Sequence, residues 1–169
     1  MPPVVVLVGA PGAGKSTVAR ALGQRLACDV VDTDARIEQS AGMSIADIFV
    51  SEGEPAFRAR EVTEVARALE DSSGVVALGG GSVLDQSTRE RLHDHFVVWL
   101  QVDLADAAAR VGLNTARPLL LGNVRQTLGR LMEERSPLYA EVATMTVVTT
   151  QRTPRDIAHD IELALKAGT

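Results

Sequence analysis

The segment GAPGAGKST, at residues 9–17, constrains this chain more than any other feature of its sequence. Gly9, Gly14, Lys15 and Ser16 fit the pattern G-x-x-x-x-G-K-[ST], with an apolar run before it and a helical apolar pattern after it. Glycines let a backbone wrap closely around a phosphate, and the start of the following helix adds the positive end of a dipole. The segment therefore predicts a loop that binds the phosphates of a nucleoside triphosphate.

Each side chain of this loop has an expected task. The Lys15 amine can reach the β- and γ-phosphates, and the Ser16 hydroxyl can bind Mg²⁺. The alternative, a glycine-rich turn with a solvated lysine, does not require the full motif between a strand and a helix. The predicted nucleotide-binding residues of the loop are Gly12, Ala13, Gly14, Lys15, Ser16 and Thr17.

Short β-branched runs alternate with longer amphipathic ones along the chain, and several of the short runs are apolar on both faces. This alternation is typical of an α/β protein whose parallel sheet is covered by helices on both sides. The predicted strands are 4–8, 29–32, 75–78, 96–102 and 145–148. The predicted helices are 15–26, 34–40, 45–51, 55–70, 87–93, 104–111, 124–135 and 154–166.

Length and composition limit the possible classes of protein. A chain of 169 residues is sufficient for one domain, which we expect to span 1–169. The 17 basic and 22 acidic residues give a net charge of −5, which argues against nucleic-acid or membrane partners. The single cysteine, Cys28, excludes an intrachain disulfide, and the apolar runs are short. We expect a cytoplasmic protein that acts as a monomer.

The phosphate-binding loop alone does not identify the acceptor, because GTPases, motors and small-molecule kinases all use it. A guanine-reading N-K-x-D segment is absent from the sequence, and motors are usually larger. A compact kinase for a small acceptor remains. Such an enzyme needs an acidic group near the transferred phosphate and groups that recognise the acceptor.

Three further patterns could supply these groups. Asp32 and Asp34 end the second predicted strand two residues apart, so both carboxylates could point to one side at the carboxyl edge of the sheet. Three consecutive glycines at 79–81 follow the third strand and would admit either a ligand or a tight turn. Arg58 and Glu61, three residues apart on a helix, favour a mutual pair on a solvated face when taken alone.

Taken in order, these motifs resemble the shikimate kinases of bacteria over nearly the whole chain. The resemblance rests on the phosphate-binding loop, Asp32-Thr33-Asp34, Phe57-Arg58 with Glu61, Gly79-Gly80-Gly81, Asn114 with Arg117-Pro118-Leu119-Leu120, and Arg135 with Pro137-Leu138-Tyr139. It implies a five-stranded parallel sheet like that of nucleoside monophosphate kinases. It also implies ATP-dependent phosphorylation of the shikimate 3-hydroxyl, a step of the shikimate pathway to chorismate and the aromatic amino acids.

The resemblance also assigns roles to individual residues. Asp34 would orient and deprotonate the attacking hydroxyl, while Asp32 would join Ser16 around Mg²⁺. An acceptor-binding region at about 34–61 would include Phe49 and Phe57 as walls of the pocket. Shikimate would be bound by Asp34, Arg58, Glu61, Gly79, Gly80, Gly81 and Arg135.

A lid at about 112–123 is the last element that the resemblance implies. It would bring Arg117 onto the phosphates as a catalytic residue beside Lys15 and Asp34, and its closure would exclude water. Arg110 and Arg152 resemble the residues that sandwich adenine, although solvated arginines at these positions are an equal alternative.

Two rival functions differ in what they require. A gluconate or nucleoside monophosphate kinase would keep the phosphate-binding loop but would not need Arg58 and Arg135 as a grip on a carboxylate. A non-catalytic ATP-binding module would be expected to have lost Lys15, Asp34 or Arg117, and all three are present.

Overall fold

The computed structural model describes residues 3–112 and 123–168, and its centre is a five-stranded sheet. The strands lie in the order β2-β3-β1-β4-β5, and every neighbouring pair is parallel. This arrangement confirms the predicted α/β class and the five-stranded parallel sheet. The strands are β1 (Val5–Val8), β2 (Val30–Asp32), β3 (Val75–Ala77), β4 (Val97–Gln101) and β5 (Met145–Val148).

Helices cover both faces of the sheet in the described part of the chain. Those before β4 are α1 (Lys15–Leu26), α2 (Thr33–Ala41), α3 (Ile45–Ser51), α4 (Glu54–Asp71) and α5 (Gln86–Leu92). A 3₁₀ turn at Ser82–Leu84 separates β3 from α5. The later helices are α6 (Leu104–Gly112), α7 (Val124–Val142) and α8 (Pro154–Ala167).

The core consists of two apolar layers, one on each face of the sheet, because successive strand residues point to opposite sides. In β1, Val5 and Leu7 enter the layer under α1 and α8, whereas Val6 and Val8 enter the layer that also contains α4 and part of α7. All four side chains are buried, as expected for a central parallel strand. A third, smaller cluster lies among α2, α3 and α4 and contains Ile37, Ile48 and Phe57.

Local chemistry fixes the boundaries of the helices that form the predicted acceptor-binding region. Helix α2 ends where Gly42 adopts a left-handed conformation, with φ of 69°, and donates its N–H to the Glu38 carbonyl. Helix α3 starts after Ser44, whose hydroxyl accepts a hydrogen bond from the Asp47 N–H. These two caps allow a sharp turn between α2 and α3.

Helix α7 contradicts the predicted end at residue 135, because it continues through Pro137 to Val142. An interior proline costs about 3 kcal/mol through a lost hydrogen bond and a steric clash. Continuing the helix buries Tyr139 and Val142, and each large apolar side chain gains about 1.5–3 kcal/mol on burial. Burial against the sheet therefore offsets the local preference of the proline.

The parallel arrangement brings the carboxyl ends of the strands to one edge of the sheet. β1 leads into the phosphate-binding loop, β2 ends at Asp32, and β3 leads into the glycines at 79–81. Ligands bind open α/β sheets at this edge. None of the helices in residues 3–112 and 123–168 has both the length and the apolar character needed to cross a membrane.

Candidate active site

The phosphate-binding loop has the backbone conformation that its glycines predict. Gly12 and Gly14 have φ values of 83° and 88°, which side-chain-bearing residues rarely adopt. At Gly12 a Cβ atom would also lie 2.6 Å from the Ala107 carbonyl oxygen of α6. Gly14 caps the amino end of α1, so the loop passes directly into the helix whose dipole faces it. The loop therefore depends on glycine both for its shape and for its packing.

Lys15 lies across this loop. Its Nζ donates hydrogen bonds to the carbonyl oxygens of Gly9, at 2.7 Å, and of Ala10, at 3.1 Å. These contacts hold the ammonium group close to the loop. A phosphate bound to the backbone N–H groups would meet a positive charge already in place.

Ser16 and Asp32 form a pair of oxygen ligands at the end of the loop. The Ser16 hydroxyl donates to Oδ2 of Asp32 at 2.6 Å, and Oδ1 of Asp32 accepts the Ala35 N–H at 3.2 Å. Asp32 is thus the cap of α2, whereas Asp34 lies in the first turn of that helix. The expectation that strand alternation would align both carboxylates is wrong, because β2 ends at Asp32. The helical turn brings Asp34 to the same cleft instead.

A cleft of about 270 Å³ joins the loop, the two aspartates and the end of β3. It collects most of the predicted nucleotide and metal residues with Asp34 and two of the three glycines. The predicted residues that line it are Gly12, Gly14, Lys15, Ser16, Thr17, Asp32, Asp34, Gly79, Gly80 and Arg110. Ala13 is buried beneath the loop as part of the core.

The triple-glycine turn, residues 79–81, gives room to two charged side chains. At Gly79 a Cβ atom would lie 2.5 Å from Oδ1 of Asp34. At Gly81 a Cβ atom would overlap the guanidinium group of Arg58. The lack of side chains therefore lets a carboxylate and a guanidinium group lie directly on the backbone of the turn.

Arg58 and Glu61 do not lie on a solvated face. Nη1 of Arg58 donates to Oε1 of Glu61 at 2.8 Å, and Glu61 is only 3% exposed. Oε2 of Glu61 is buried and has no hydrogen-bond partner among the described residues. Arg58 also contacts Glu54 at 3.4 Å, an ion pair that sequence reasoning missed. These side chains form a charged surface beside the triple-glycine turn, in which Glu61 is buried, Arg58 is partly buried and Glu54 is exposed.

Aromatic side chains support this charged surface from below. The Arg58 guanidinium carbon lies 5.3 Å from the centroid of the Phe57 ring, within the range of a cation–π contact. The Phe57 ring lies 5.1 Å from that of Phe49. Arg58 and Glu61 face a second cavity of about 380 Å³, which also borders Gly81.

Arg135 is a second deeply buried charge of the site, at 4% exposed. No carboxylate of residues 3–112 or 123–168 pairs with it within 4 Å. Arg135 interacts with the hydroxyl of Tyr139, which donates to the Gly80 carbonyl at 2.6 Å. Burial raises the pKa of Tyr139 to about 12, with an opposing effect from the Arg135 charge. The charges of Glu61 and Arg58 also affect this pKa.

The remaining predicted residues differ in how the structure treats them. Arg110 donates to the Gly12 carbonyl at 2.9 Å and so borders the phosphate-binding loop. Arg152 pairs with Asp160 at 2.6 Å at the start of α8 and does not line either cavity. Arg117 and the segment 113–122 of the predicted lid lie outside the described residues.

Tyr139 is the residue of the site to which the sequence assigned no role. A signal was present, because Tyr139 follows Arg135 by four residues and therefore lies on the same face of α7. The predicted helix end at residue 135 hid this relationship. The contact of Glu54 with Arg58 was not predicted for a different reason. Several carboxylates of α4 could pair with Arg58 by spacing alone.

The phosphate-binding loop borders a carboxylate, and guanidinium groups lie near the turn of three glycines. This combination defines a class of protein, the P-loop kinases that phosphorylate small acceptors. Comparison with known proteins narrows the class. The family model described as shikimate kinase matches residues 11–166, and the chain belongs to the shikimate kinase family.

Individual relatives agree with this family. The shikimate kinase of Thermobifida fusca is 56% identical over 166 residues, which cover 98% of this chain and 96% of the relative. That of Salinispora tropica is 53% identical, with 98% and 99% covered. The solved structure of shikimate kinase from Acinetobacter baumannii in complex with shikimate is 36% identical, with a TM-score of 0.95 and 100% and 95% of the chains covered.

A more distant structure shares the fold alone. A gluconokinase from Sinorhizobium meliloti has a TM-score of 0.61 at 21% identity, covering 98% of this chain and 93% of that one.

Membership of the shikimate kinase family makes the chain a phosphotransferase that uses ATP as its co-substrate. The comparisons favour neither a gluconate kinase nor a non-catalytic ATP-binding module.

Proposed function

We propose that this protein transfers the γ-phosphate of ATP to the 3-hydroxyl of shikimate through the residues of this cleft. One observation carries the assignment of the acceptor side: Arg135 is a buried cation without a carboxylate partner among the described residues, one helical turn before Tyr139, whose hydroxyl contacts the triple-glycine turn on which Arg58 lies. A buried charge is expensive unless it is paired. The carboxylate of an acceptor would supply that pair.

The phosphate donor would lie on the loop of residues 9–17. Backbone N–H groups and the amino end of α1 would hold the phosphates. Lys15 would exchange the carbonyl oxygens of Gly9 and Ala10 for phosphate oxygens, and these hydrogen bonds would be stronger because both partners are charged. Arg110 would border the nucleotide from α6, and Arg152 would have to leave Asp160 to reach adenine.

Ser16 and Asp32 fit a magnesium ion. Both offer hard oxygen ligands, and their oxygen atoms lie 2.6 Å apart in the cleft. Mg²⁺ usually takes only one or two protein ligands and completes its octahedron with water and phosphate oxygens. When bound there, the ion would offset the negative charge of the phosphates. The chain's part is to hold these two oxygens on the end of β2 and the start of α1.

Asp34 would act on the acceptor. Its carboxylate lies against Gly79 at the border between the phosphate-binding loop and the triple-glycine turn. From this position it would accept a hydrogen bond from the attacking hydroxyl and take its proton as the new O–P bond forms, while the bond from the γ-phosphorus to the bridging oxygen breaks and ADP leaves. Placing the base and the hydroxyl together supplies orientation as well as proton transfer.

Arg58 and Arg135 would bind the acceptor carboxylate, and the glycines would contact its ring hydroxyls. Glu61 supports this role for Arg58, because it fixes one side of the guanidinium group at 2.8 Å. The Phe57 ring supports the guanidinium group from below.

Arg117 would reach the phosphates from the segment 113–122. A monomeric state and a cytoplasmic location, both expected from the sequence, complete the proposal.

ADP release by the purified protein tests the proposed function. The reaction contains ATP and Mg²⁺ with shikimate, gluconate, a panel of nucleoside monophosphates, or no acceptor. We expect shikimate alone to stimulate ADP release strongly. Stimulation by another acceptor would contradict the assignment of the acceptor side, and no stimulation despite ATP binding would contradict catalysis itself.

A further inference from the structure

Tyr139 connects the triple-glycine turn to helix α7. Its hydroxyl donates to the Gly80 carbonyl at 2.6 Å, and its ring packs 5.8 Å from that of Trp99 in the core. Because burial raises the pKa of Tyr139 to about 12, the hydroxyl stays protonated at any pH suited to an assay. It is therefore a permanent donor. The Gly80 carbonyl has a fixed partner for as long as the ring keeps its place.

This hydrogen bond fixes more than one atom. A peptide unit is planar and trans, so the N–H of Gly81 points away from Tyr139 once the Gly80 carbonyl points towards it. Glycines have no side chains that could restrain such a turn, and their backbone is the most permissive of all residues. One backbone hydrogen bond closes the turn, from the Ser82 N–H to the Gly79 carbonyl at 3.1 Å, and the Tyr139 hydroxyl adds a restraint on the Gly80 carbonyl from outside it.

A second side chain attaches the following residues to the same helix. Nη1 of Arg89 donates to the carbonyls of Val83 and Leu84, at 2.8 and 3.1 Å. Nε of Arg89 pairs with Glu141 on α7 at 3.0 Å. The backbone from Gly80 to Leu84 is thus attached to α7 at both ends.

Helix α7 also carries Arg135, one turn before Tyr139. We propose that Tyr139 is a positioning residue: assisted by Arg89, it holds the triple-glycine turn at a fixed distance from Arg135, so that both contact the acceptor at once. The inference rests on the proposed function. Tyr139 contacts neither phosphate nor acceptor in this scheme, and its effect passes through Gly80 and Arg135.

The test is Tyr139→Phe, which removes the hydroxyl and keeps the buried ring. We expect the KM for shikimate to rise about three- to tenfold, as a lost internal hydrogen bond would give. The KM for ATP should change less than the KM for shikimate, because β1 and α1 hold the phosphate-binding loop at its two ends, and Gly80 contacts this loop only near Pro11 and Gly9. The pH profile should stay unchanged between about pH 6 and 9, because the wild-type hydroxyl does not titrate there.

Thr144→Val is the matched control. The Thr144 hydroxyl accepts the Val97 N–H at 3.0 Å and donates to the His95 carbonyl at 3.3 Å, at the opposite edge of the sheet. Its removal should lower the melting temperature and change neither KM. A purely structural role for Tyr139 would give the same pattern in Tyr139→Phe, and that result would overturn the inference.

Two further outcomes are distinguishable. If Tyr139→Phe does not fold at the assay temperature, Arg89→Met tests the other attachment, and an unchanged shikimate KM in that variant would overturn the inference. If wild-type protein itself does not phosphorylate shikimate, the proposed function fails and this inference fails with it. If wild-type protein phosphorylates shikimate and both variants keep its KM for shikimate, this inference is wrong and the proposed function is unaffected.

Discussion

The carboxylate of Asp34 lies against the α-carbon of Gly79, where an added Cβ atom would come within 2.5 Å of Oδ1 and 3.0 Å of Oδ2. Gly79 does not have the positive φ that would itself require glycine. Its lack of a side chain therefore matters for space and not for backbone conformation. The position of the Asp34 carboxylate, the proposed base, depends on this space. A substitution at Gly79 would therefore displace the carboxylate without changing Asp34 itself.

Gly79→Ala should lower kcat by at least about tenfold, because the Asp34 carboxylate must shift away from the acceptor hydroxyl. The measurement is steady-state ADP release with saturating shikimate. Gly42→Ala is the control: Gly42 has φ of 69° but nothing within 4 Å of the added atom. The control should lose stability through backbone strain and keep its kcat. Equal kcat values in both variants would contradict the proposed position of the base.

Asp32→Asn separates two roles of one side chain. Asparagine caps a helix as well as aspartate does, so the cap of α2 and the melting temperature should be preserved. The negative charge beside Ser16 is lost, and the Mg²⁺ concentration for half-maximal activity should rise on the order of tenfold. The measurement is a Mg²⁺ titration of ADP release.

Asp85→Asn provides the comparison for the Mg²⁺ titration. Asp85 caps α5 by accepting the Thr88 N–H at 2.9 Å, and it lines the second cavity, beside Arg58, and not the cleft of the phosphate-binding loop. Its replacement should leave the Mg²⁺ requirement unchanged. If the two variants need the same Mg²⁺ concentration as wild type, Asp32 is a cap and not a metal ligand.

Arg135→Met should weaken shikimate binding without lowering the stability of the protein alone. Removing a charge-assisted hydrogen bond should raise the KM for shikimate by about 10- to 100-fold. Replacing a buried ion by an apolar side chain is often neutral or stabilising, because the cost of desolvation disappears. The melting temperature without shikimate should therefore equal or exceed that of wild type, as measured by thermal unfolding.

Arg25→Met is the control for this prediction. Arg25 pairs with Glu162 at 3.3 Å between α1 and α8 and is partly exposed. Its loss should reduce stability slightly and leave the KM for shikimate unchanged. A large fall in melting temperature for Arg135→Met with a normal KM would mean that Arg135 has a structural role.

The phosphate-binding loop could be predicted from the sequence because its residue types follow from local demands. Gly12 and Gly14 have backbone angles that other residues avoid, and Lys15 and Ser16 follow at fixed positions. The parallel sheet could also be predicted, because strands buried on both faces are continuously apolar, as β1 is. In both cases the information lies within a few neighbouring residues.

Other features depend on contacts between distant segments and could not be predicted. The helix through Pro137 is stabilised by burial of Tyr139 against the sheet. Local helix propensity carries no information about this burial. The pairing of Arg58 with Glu61 was predictable from spacing, but its burial arises where α4 meets the triple-glycine turn. The placement of Asp34 depends on where β2 ends, and strand length is weakly encoded at a sheet edge.

The central claim is that Asp34 acts on the acceptor hydroxyl in this cleft, and the rate of phosphate transfer in Asp34→Asn tests it most directly. The rate is measured in a single turnover with shikimate and ATP, with shikimate affinity measured separately. We predict a rate lower by about 10²- to 10⁴-fold, with shikimate affinity close to that of wild type. A transfer rate near that of wild type would contradict the claim.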